Sequence, residues 1–422
     1  MNYRIFPPEE MIETTVKLPL SKSIVNRLLI INALGGNVEF PQGSIDCEDT
    51  KLILNALQSN DGRFDLGLSG AAMRFLTAYF STLEGRTVIL DGNHRLRERP
   101  MKPLIEALRQ IGAQIKCLEE EGFAPIRIVG KKLTGGDISL DATVSSQFVS
   151  ALMLIAPCLA NGLTINLEGE PVSLSYIKMT AELMEKNGAQ LDVDRQQIKI
   201  NHGEYQLNEI IIERDWSAAS YWYEIVALSA GFVTLEDLSA RSIQGDSACI
   251  KLFEMLGVNT EPSEEGDGLD LMASPEQFSR FETDLSDTPD LAPTLAVTSA
   301  LLGIPFHLTG LSTLEGKESN RLTVLKEELL KFGIICEIRG GSQIVWNGER
   351  VPIIEVPRIS PHGDHRIAMA FAPTSLYVPG VVIEDAESVA KSYPEFFNDL
   401  RKAGFAVEEY SEEENAEKGG GD

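Results

Sequence analysis

Five glycines fix the outline of this chain. Gly112, Gly188, Gly257, Gly333 and Gly404 each close an amphipathic helical pattern, and each is followed by a small or apolar residue and a short strand-like run. The runs are alike: Ala113 to Cys117, Ala189 to Val193, Val258 to Glu261, Ile334 to Ile338 and Phe405 to Glu408. A second strand of a hairpin is legible after three of them, at Pro125 to Val129, Gln197 to Ile200 and Gln343 to Trp346. The glycines recur every 69 to 76 residues, which makes the chain an array of one mixed helix/strand unit. Such an array packs helices against several small sheets; it does not build one long doubly wound sheet. Asp49 to Gln58 supplies the helix of a first copy, but the chain enters the next helix within a few residues and leaves no room for a hairpin. Six units are therefore expected, the first shortened. The acidic stretch from Ser411 is low-complexity sequence, expected to fray.

Charge narrows the partners. With 37 basic and 63 acidic residues the net charge is -26, which opposes nucleic acid or an anionic membrane as a partner of the whole surface. An anionic ligand would have to meet a local basic site. Five cysteines without CxxC spacing fit reduced thiols, and the Met1 to Glu10 stretch has no apolar signal-like core. A cytoplasmic protein is expected. His362 and His365 lack helical HxxxH spacing and a nearby thiol, so no metal is expected. Nucleotide-loop and serine-hydrolase motifs are absent.

The basic sites sit where strands turn into helices. In Pro19 to Arg27, Lys22 stands at the turn, a hydroxyl at Ser21 or Ser23 is placed to cap the helix, and Ser23 and Arg27 share a face. Free amides and the positive dipole end there suit a phosphate or carboxylate. A capped helix with two surface cations would read the same, so this stretch does not decide alone. Similar turns follow at Ser69 to Arg74, where Gly70 permits close approach, and at Arg95 to Pro100, where three guanidiniums flank one carboxylate. Others lie at Ser145-Ser146-Gln147, Ser173 to Tyr176, Trp216 to Tyr221, Asp284 to Asp290, Lys317 to Arg321, Gly363 to Arg366 and Val389 to Pro394. Asp290 alone could be a simple helix cap, whereas Lys317 and Arg321, four apart, are expected to share a helix face, and Glu318 between them is set to be tuned as an acid/base group. Many such turns aimed at one space would make a positive cleft inside an acidic protein.

Taken in order, these motifs resemble the enolpyruvylshikimate-phosphate synthase family: SKSxxNR at Ser21 to Arg27, GxAMR at Gly70 to Arg74, RxRP at Arg97 to Pro100, SSQF at Ser145 to Phe148, the Ser173/Tyr176 segment, Pro289-Asp290, KESxR at Lys317 to Arg321, DHR at Asp364 to Arg366 and AKS at Ala390 to Ser392. The resemblance spans about Lys17 to Leu400. It implies a two-domain, inside-out, barrel-like α/β fold with three units per domain, one domain at residues 19–213 and the other at 1–18 plus 214–422. It also implies transfer of the enolpyruvyl group of phosphoenolpyruvate to the 5-hydroxyl of shikimate-3-phosphate, by a monomer that needs no metal or organic cofactor. Carried over by position, Ser23, Arg27, Ser145, Ser146, Ser173, Tyr176, Asp290 and Lys317 would hold shikimate-3-phosphate. Lys22, Gly70, Arg99, Gln147, Arg321, Arg366 and Lys391 would hold phosphoenolpyruvate. Asp290 would take the hydroxyl proton, Lys22 and Glu318 would move protons at the methylene carbon, and His365 would support Glu318.

Five positions depart from the family pattern: Leu20 for Gly, Ala71 for Thr, Phe75 for Pro, Thr313 for Asn and Asn320 for Asp. Those around Gly70 are expected to shift sensitivity to glyphosate, a competitor of phosphoenolpyruvate, more than turnover. Two alternatives remain at this point. One is enolpyruvyl transfer to a nucleotide sugar, whose family places Asn directly after Lys and commonly a Cys in the loop matching His94 to Arg99; neither is present here. The other is a non-catalytic anion-binding homologue, against which the retention of Lys22, Asp290, Glu318 and Arg366 argues.

Overall fold

The structure is a computed structural model that describes residues 1–40, 46–264 and 266–411 of the 422-residue chain. The expected frayed tail, Ser411 apart, lies outside the described residues. All five glycines of the repeat have the left-handed φ that ends a helix at little cost, from 75° at Gly333 to 97° at Gly112.

Five four-stranded sheets follow, all with one topology. Across each sheet the strands of a unit lie in the order first, second, fourth, third; the first pair is parallel and the other two pairs are antiparallel. The unit after the shortened one uses Arg63–Asp65, Thr87–Asp91, Gln114–Cys117 and Ile126–Val129. The next uses Gly136–Asp141, Leu163–Glu168, Leu191–Val193 and Gln197–Ile200. A third sheet takes Glu13–Val16 as its first strand and resumes 216 residues later with Phe232–Glu236, Val258–Pro262 and Gly268–Ala273. The fourth is built from Phe281–Asp284, Phe306–Thr309, Glu337–Arg339 and Gln343–Trp346. In the last, Arg358–Ile359, Val381–Ile383 and Ala406–Glu409 are completed by Tyr3–Phe6 from the chain start, which supplies the strand that no residue after Glu409 supplies among those described. The first unit consists of helices Lys22–Leu34 and Glu48–Gln58, and only four residues separate Gln58 from the next strand. It has no hairpin among the described residues.

Sheets and helices take opposite places in the packing. Strands such as Gln114–Cys117 alternate exposed and buried, the pattern of a sheet with one wet face. Helices Ser146–Ile155, Ala292–Leu302 and His365–Phe371 are buried on nearly every side, so the helices form the interior and the sheets the wall. Their buried hydroxyls stay paired by turning back on their own helix, Thr298 to the Thr294 carbonyl and Ser299 to that of Leu295, each at 2.7 Å. Two hydrophobic cores result. One runs from Ile24 to Tyr205; the other joins Ile5 to Leu18 with Trp216 to Val407.

The chain passes between these cores at Pro19 to Ser21 and again at Glu213 to Asp215. The two passages lie side by side: Leu20 and Arg214 form an antiparallel bridge, Ser21 N donates to the Glu213 carbonyl at 2.8 Å, and Asp215 N to that of Pro19 at 2.9 Å. The expected cap from Ser21 or Ser23 does not form. Ser21 Oγ is buried without a partner among the described residues, and the Asp215 carboxylate takes its place: it accepts from Lys22 N at 3.4 Å and from Ala218 N at 3.1 Å. One side chain thus opens a helix in each half. No helix among the described residues is long and apolar enough to cross a membrane.

Gly333 tests the repeat. A Cβ there would collide with the Val351 carbonyl oxygen, in a backbone conformation that L residues already disfavour. Gly341 has the same hand of φ and open space around it. Gly341→Ala is expected to cost about 1–2 kcal/mol and Gly333→Ala clearly more, read from the shift in urea midpoint.

Candidate active site

Between the two cores lies a cavity of about 480 Å³, entered by the helix starts that the sequence singled out. Its wall includes Lys22, Ser23, Arg27, Arg99, Ser145, Ser146, Gln147, Ser173, Tyr176, Asp290, Lys317, Glu318, Arg321, His365 and Arg366. Gly70 and Lys391 stand just behind it. Arg99 lies flat on Gly70, where a Cβ would be 2.5 Å from the guanidinium. Lys391 Nζ pairs with Glu318 at 2.7 Å and donates to the Leu68 carbonyl at 3.2 Å, across the cleft.

Asp290 is no helix cap. Helix Ala292–Leu302 starts at Leu291 without a side-chain cap, and the carboxylate accepts instead from Arg321 at 2.8 Å, Arg366 at 2.9 Å, Tyr176 Oη at 3.2 Å and Lys317 at 3.3 Å. Burial works to raise its pKa, but Arg366, Lys317 and Arg321 outweigh it and hold it well below the usual range. Glu318 is governed in the same way: burial is overcome by Lys391, by Arg321 at 2.8 Å and by Arg99 at 3.7 Å. Both are ionised at neutral pH. Lys317 and Arg321 do not share a helix face as the spacing suggested, because the helix begins only at Arg321; a loop carries Lys317 round to the same carboxylate.

Lys22 pairs with Asp49 at 3.1 Å. Burial works to lower its pKa, but Asp49, together with Glu318 and Cys47, outweighs burial and raises it. Arg27 is lowered by burial to about 10, and is held by Thr180 at 2.6 Å and the Ser23 carbonyl at 2.8 Å. Burial, reinforced by Lys22 and Arg366, pushes His365 well below its ordinary value, so the imidazole is neutral. Its ring nitrogens find no hydrogen-bond partner among the described residues, Asp364 lying 3.8 Å from Nδ1, and it reaches Glu318 through the field and not through a hydrogen bond.

Several residues that matter were not assigned from sequence. Asp49 fixes the Lys22 ammonium, and Asp364 accepts from Arg321 Nε at 2.7 Å. Arg74 ties the Gly70 carbonyl to that of Pro100, 3.2 Å from each. Asp287 reaches over the cleft to the start of helix Leu174–Lys186, accepting from Leu174 N at 2.9 Å, beside Ser173 in the left-handed region at φ 55°. Asp246 accepts from Ser217 Oγ, which accepts in turn from Arg366 at 3.2 Å; burial and the nearby Asp290 raise Asp246 to about 6. Of these, Asp364, Arg74, Asp287 and Ser217 lay in stretches the sequence marked. Asp49 and Asp246 carried no local signal.

The departures have local consequences. Leu20 packs on the first core beside its bridge to Arg214, and Asn320 caps the helix it precedes through Thr323 N at 3.3 Å. Thr313 lines the cavity, and its hydroxyl has no hydrogen-bond partner among the described residues. Phe75 places its ring 5.3 Å below the Arg27 guanidinium.

Buried acid–base groups held among cations, in a cleft between two halves built from one repeat, mark an enzyme of small polyanions. Comparison with known proteins makes the class specific. A model of the EPSP synthase (3-phosphoshikimate 1-carboxyvinyltransferase) family matches residues 57–400. The 3-phosphoshikimate 1-carboxyvinyltransferase of Bacteroides fragilis is 44% identical over 409 residues, 96% of this chain and 99% of that one. That of Syntrophobacter fumaroxidans is 35% identical, covering 94% and 98%. The EPSP synthase structure from Acinetobacter baumannii superposes with a TM-score of 0.74 at 23% identity, over 97% of this chain and all of that one, and shares the fold. The chain belongs to the EPSP synthase family.

Glu318 and Asp290 tie stability to pH. A carboxyl whose folded pKa is depressed contributes stability above its unfolded value, near 4.5 for Glu318, and loses it as pH falls toward the folded one. Melting temperature should fall steeply below that pH. Glu318→Gln, which takes one charged partner from each of Lys391, Arg321 and Arg99, is expected to cost about 3–5 kcal/mol at neutral pH and to flatten the acid slope.

Proposed function

We propose that this chain transfers the enolpyruvyl group of phosphoenolpyruvate to the 5-hydroxyl of shikimate-3-phosphate and releases phosphate. The observation that carries the reading is Asp290, a buried carboxylate ringed by Arg321, Arg366 and Lys317 on the cavity wall. Two units, residues 19–213 and 1–18 plus 214–422, are the proposed domains; the two separate cores support this division.

Shikimate-3-phosphate lies against Ser23, Arg27, Ser145, Ser146, Ser173, Tyr176 and Lys317, with its hydroxyl toward Asp290. Phosphoenolpyruvate takes Lys22, Gly70, Arg99, Gln147, Arg321, Arg366 and Lys391; the forked guanidiniums suit its carboxylate and the compact ammoniums its phosphate. As the second carboxylate draws Arg321 and Arg366 to itself, Asp290 loses part of the charge that depresses it and becomes a better base. It accepts the proton of the attacking hydroxyl. Lys22 and Glu318 exchange protons with the methylene carbon as the tetrahedral adduct forms and then expels phosphate, and His365 supports Glu318. The surrounding cations stabilise charge as it develops on the leaving phosphate.

Phosphate release from phosphoenolpyruvate is expected only when shikimate-3-phosphate is present. Asp290→Asn and Lys22→Ala should each lower kcat by about 10²-fold or more, measured by phosphate appearance. Release without acceptor, or none at all with it, would end the reading.

A further inference from the structure

Arg95 makes a contact that the reading above does not use. It stands in the short helix His94–Arg97, which Asn93 caps, four residues before Arg99. Its guanidinium crosses the cleft and meets a stretch of backbone. Nη2 donates to the carbonyls of Glu315 at 2.8 Å and Lys317 at 3.1 Å, and Nε to that of Glu318 at 3.3 Å. On its own side Nη1 is steadied by Glu98 at 3.1 Å. The stretch it grips is irregular, lying between the turn Ser312–Leu314 and the helix that opens at Arg321. It carries the two side chains that the site needs most from that half, Lys317 against Asp290 and Glu318 against Arg99.

We propose that Arg95 is a positioning residue that latches the two halves together, setting where Lys317 and Glu318 stand relative to the Arg99 and Gly70 side of the cleft. The proposal rests on the functional reading given above. The acceptors are main-chain oxygens, so the grip does not depend on the side chains at those positions, and three of them around one planar fork suit arginine and not lysine. The side chain is 32% exposed, so the latch sits at the mouth of the cleft and can open without unpacking a core. Arg95 acts through the loop and not by touching substrate.

The test uses the full chain. Arg95→Ala is expected to lower kcat/KM for acceptor-dependent phosphate release by about 10- to 100-fold, the cost of losing charged hydrogen bonds and of a loosely placed loop. Low concentrations of guanidinium chloride, but not of sodium chloride, should restore part of it. Small-angle scattering should give Arg95→Ala a larger radius of gyration than the wild type. Arg95→Lys, which keeps the charge and tolerates any folding defect better, should fall between the two in both measurements. Arg63→Ala, which removes an exposed arginine paired with Asp91 on its own side, should match the wild type in both. An unchanged radius, or an activity loss that guanidinium does not relieve, would overturn the latch. A wild-type chain without acceptor-dependent release would count against the functional reading, while the scattering comparison would still decide the latch.

Discussion

The interaction on which the rest depends is the burial of the Arg321 guanidinium. It is 1% exposed and spends its fork on three carboxylates, Asp364, Asp290 and Glu318, which arrive from three different strand-to-helix turns. A charge taken so far from water is tolerated only when paired and hydrogen-bonded, so the three turns cannot drift independently. Arg366 repeats the arrangement one layer away, joining Asp290 to Ser217 and through it to Asp246. The geometry of the cavity wall and the packing of the second half are therefore held by one network.

The fold is what makes that network possible. In four of the five units that carry a sheet the helix linking the first two strands starts at the cleft, beside Ala71, Ser146, Asp290 and His365, and all five are closed by the same four-stranded wall. The amides at those starts add partial positive charge where lysines and arginines already gather, inside a protein of net charge -26. The contrast focuses a positive field on the cleft and draws in small anions, while the acidic exterior discourages nucleic acid and anionic surfaces. Asp215 binds the two halves into this scheme, since one carboxylate opens helix Lys22–Leu34 in one half and helix Trp216–Ser229 in the other.

Much of this was legible in the sequence because both repeat and chemistry are written locally. A glycine after an amphipathic helix demands a left-handed end, and five of them at near-equal spacing reveal the array. The shortened first unit could be read from the few residues after Gln58. Motifs such as Ser21 to Arg27 or Lys317 to Arg321 are short enough for composition and spacing to expose them. Where the reading went astray, the cause was an acceptor distant in sequence. Ser21 or Ser23 looked like the cap of the helix, but Asp215, brought near by the return passage of the chain, took the role. Lys317 and Arg321 looked like neighbours on a helix face, and they meet at Asp290 because a loop bends.

The sequence by itself determined the repeat, the number of units and the basic turns that line the cavity, because each of these is fixed by neighbours within a few positions. Tertiary structure alone decided the pairings: Asp49 with Lys22, Asp364 with Arg321, Asp246 through Ser217 with Arg366, and Arg95 with the loop across the cleft. It also decided that Tyr3–Phe6 would close the last sheet. The physical reason is the same throughout. Hydrogen-bond and charge partners are set by distance in space and not by spacing in the chain, whether they lie 43 positions apart, as Arg321 and Asp364 do, or 220, as Arg95 and Glu315 do.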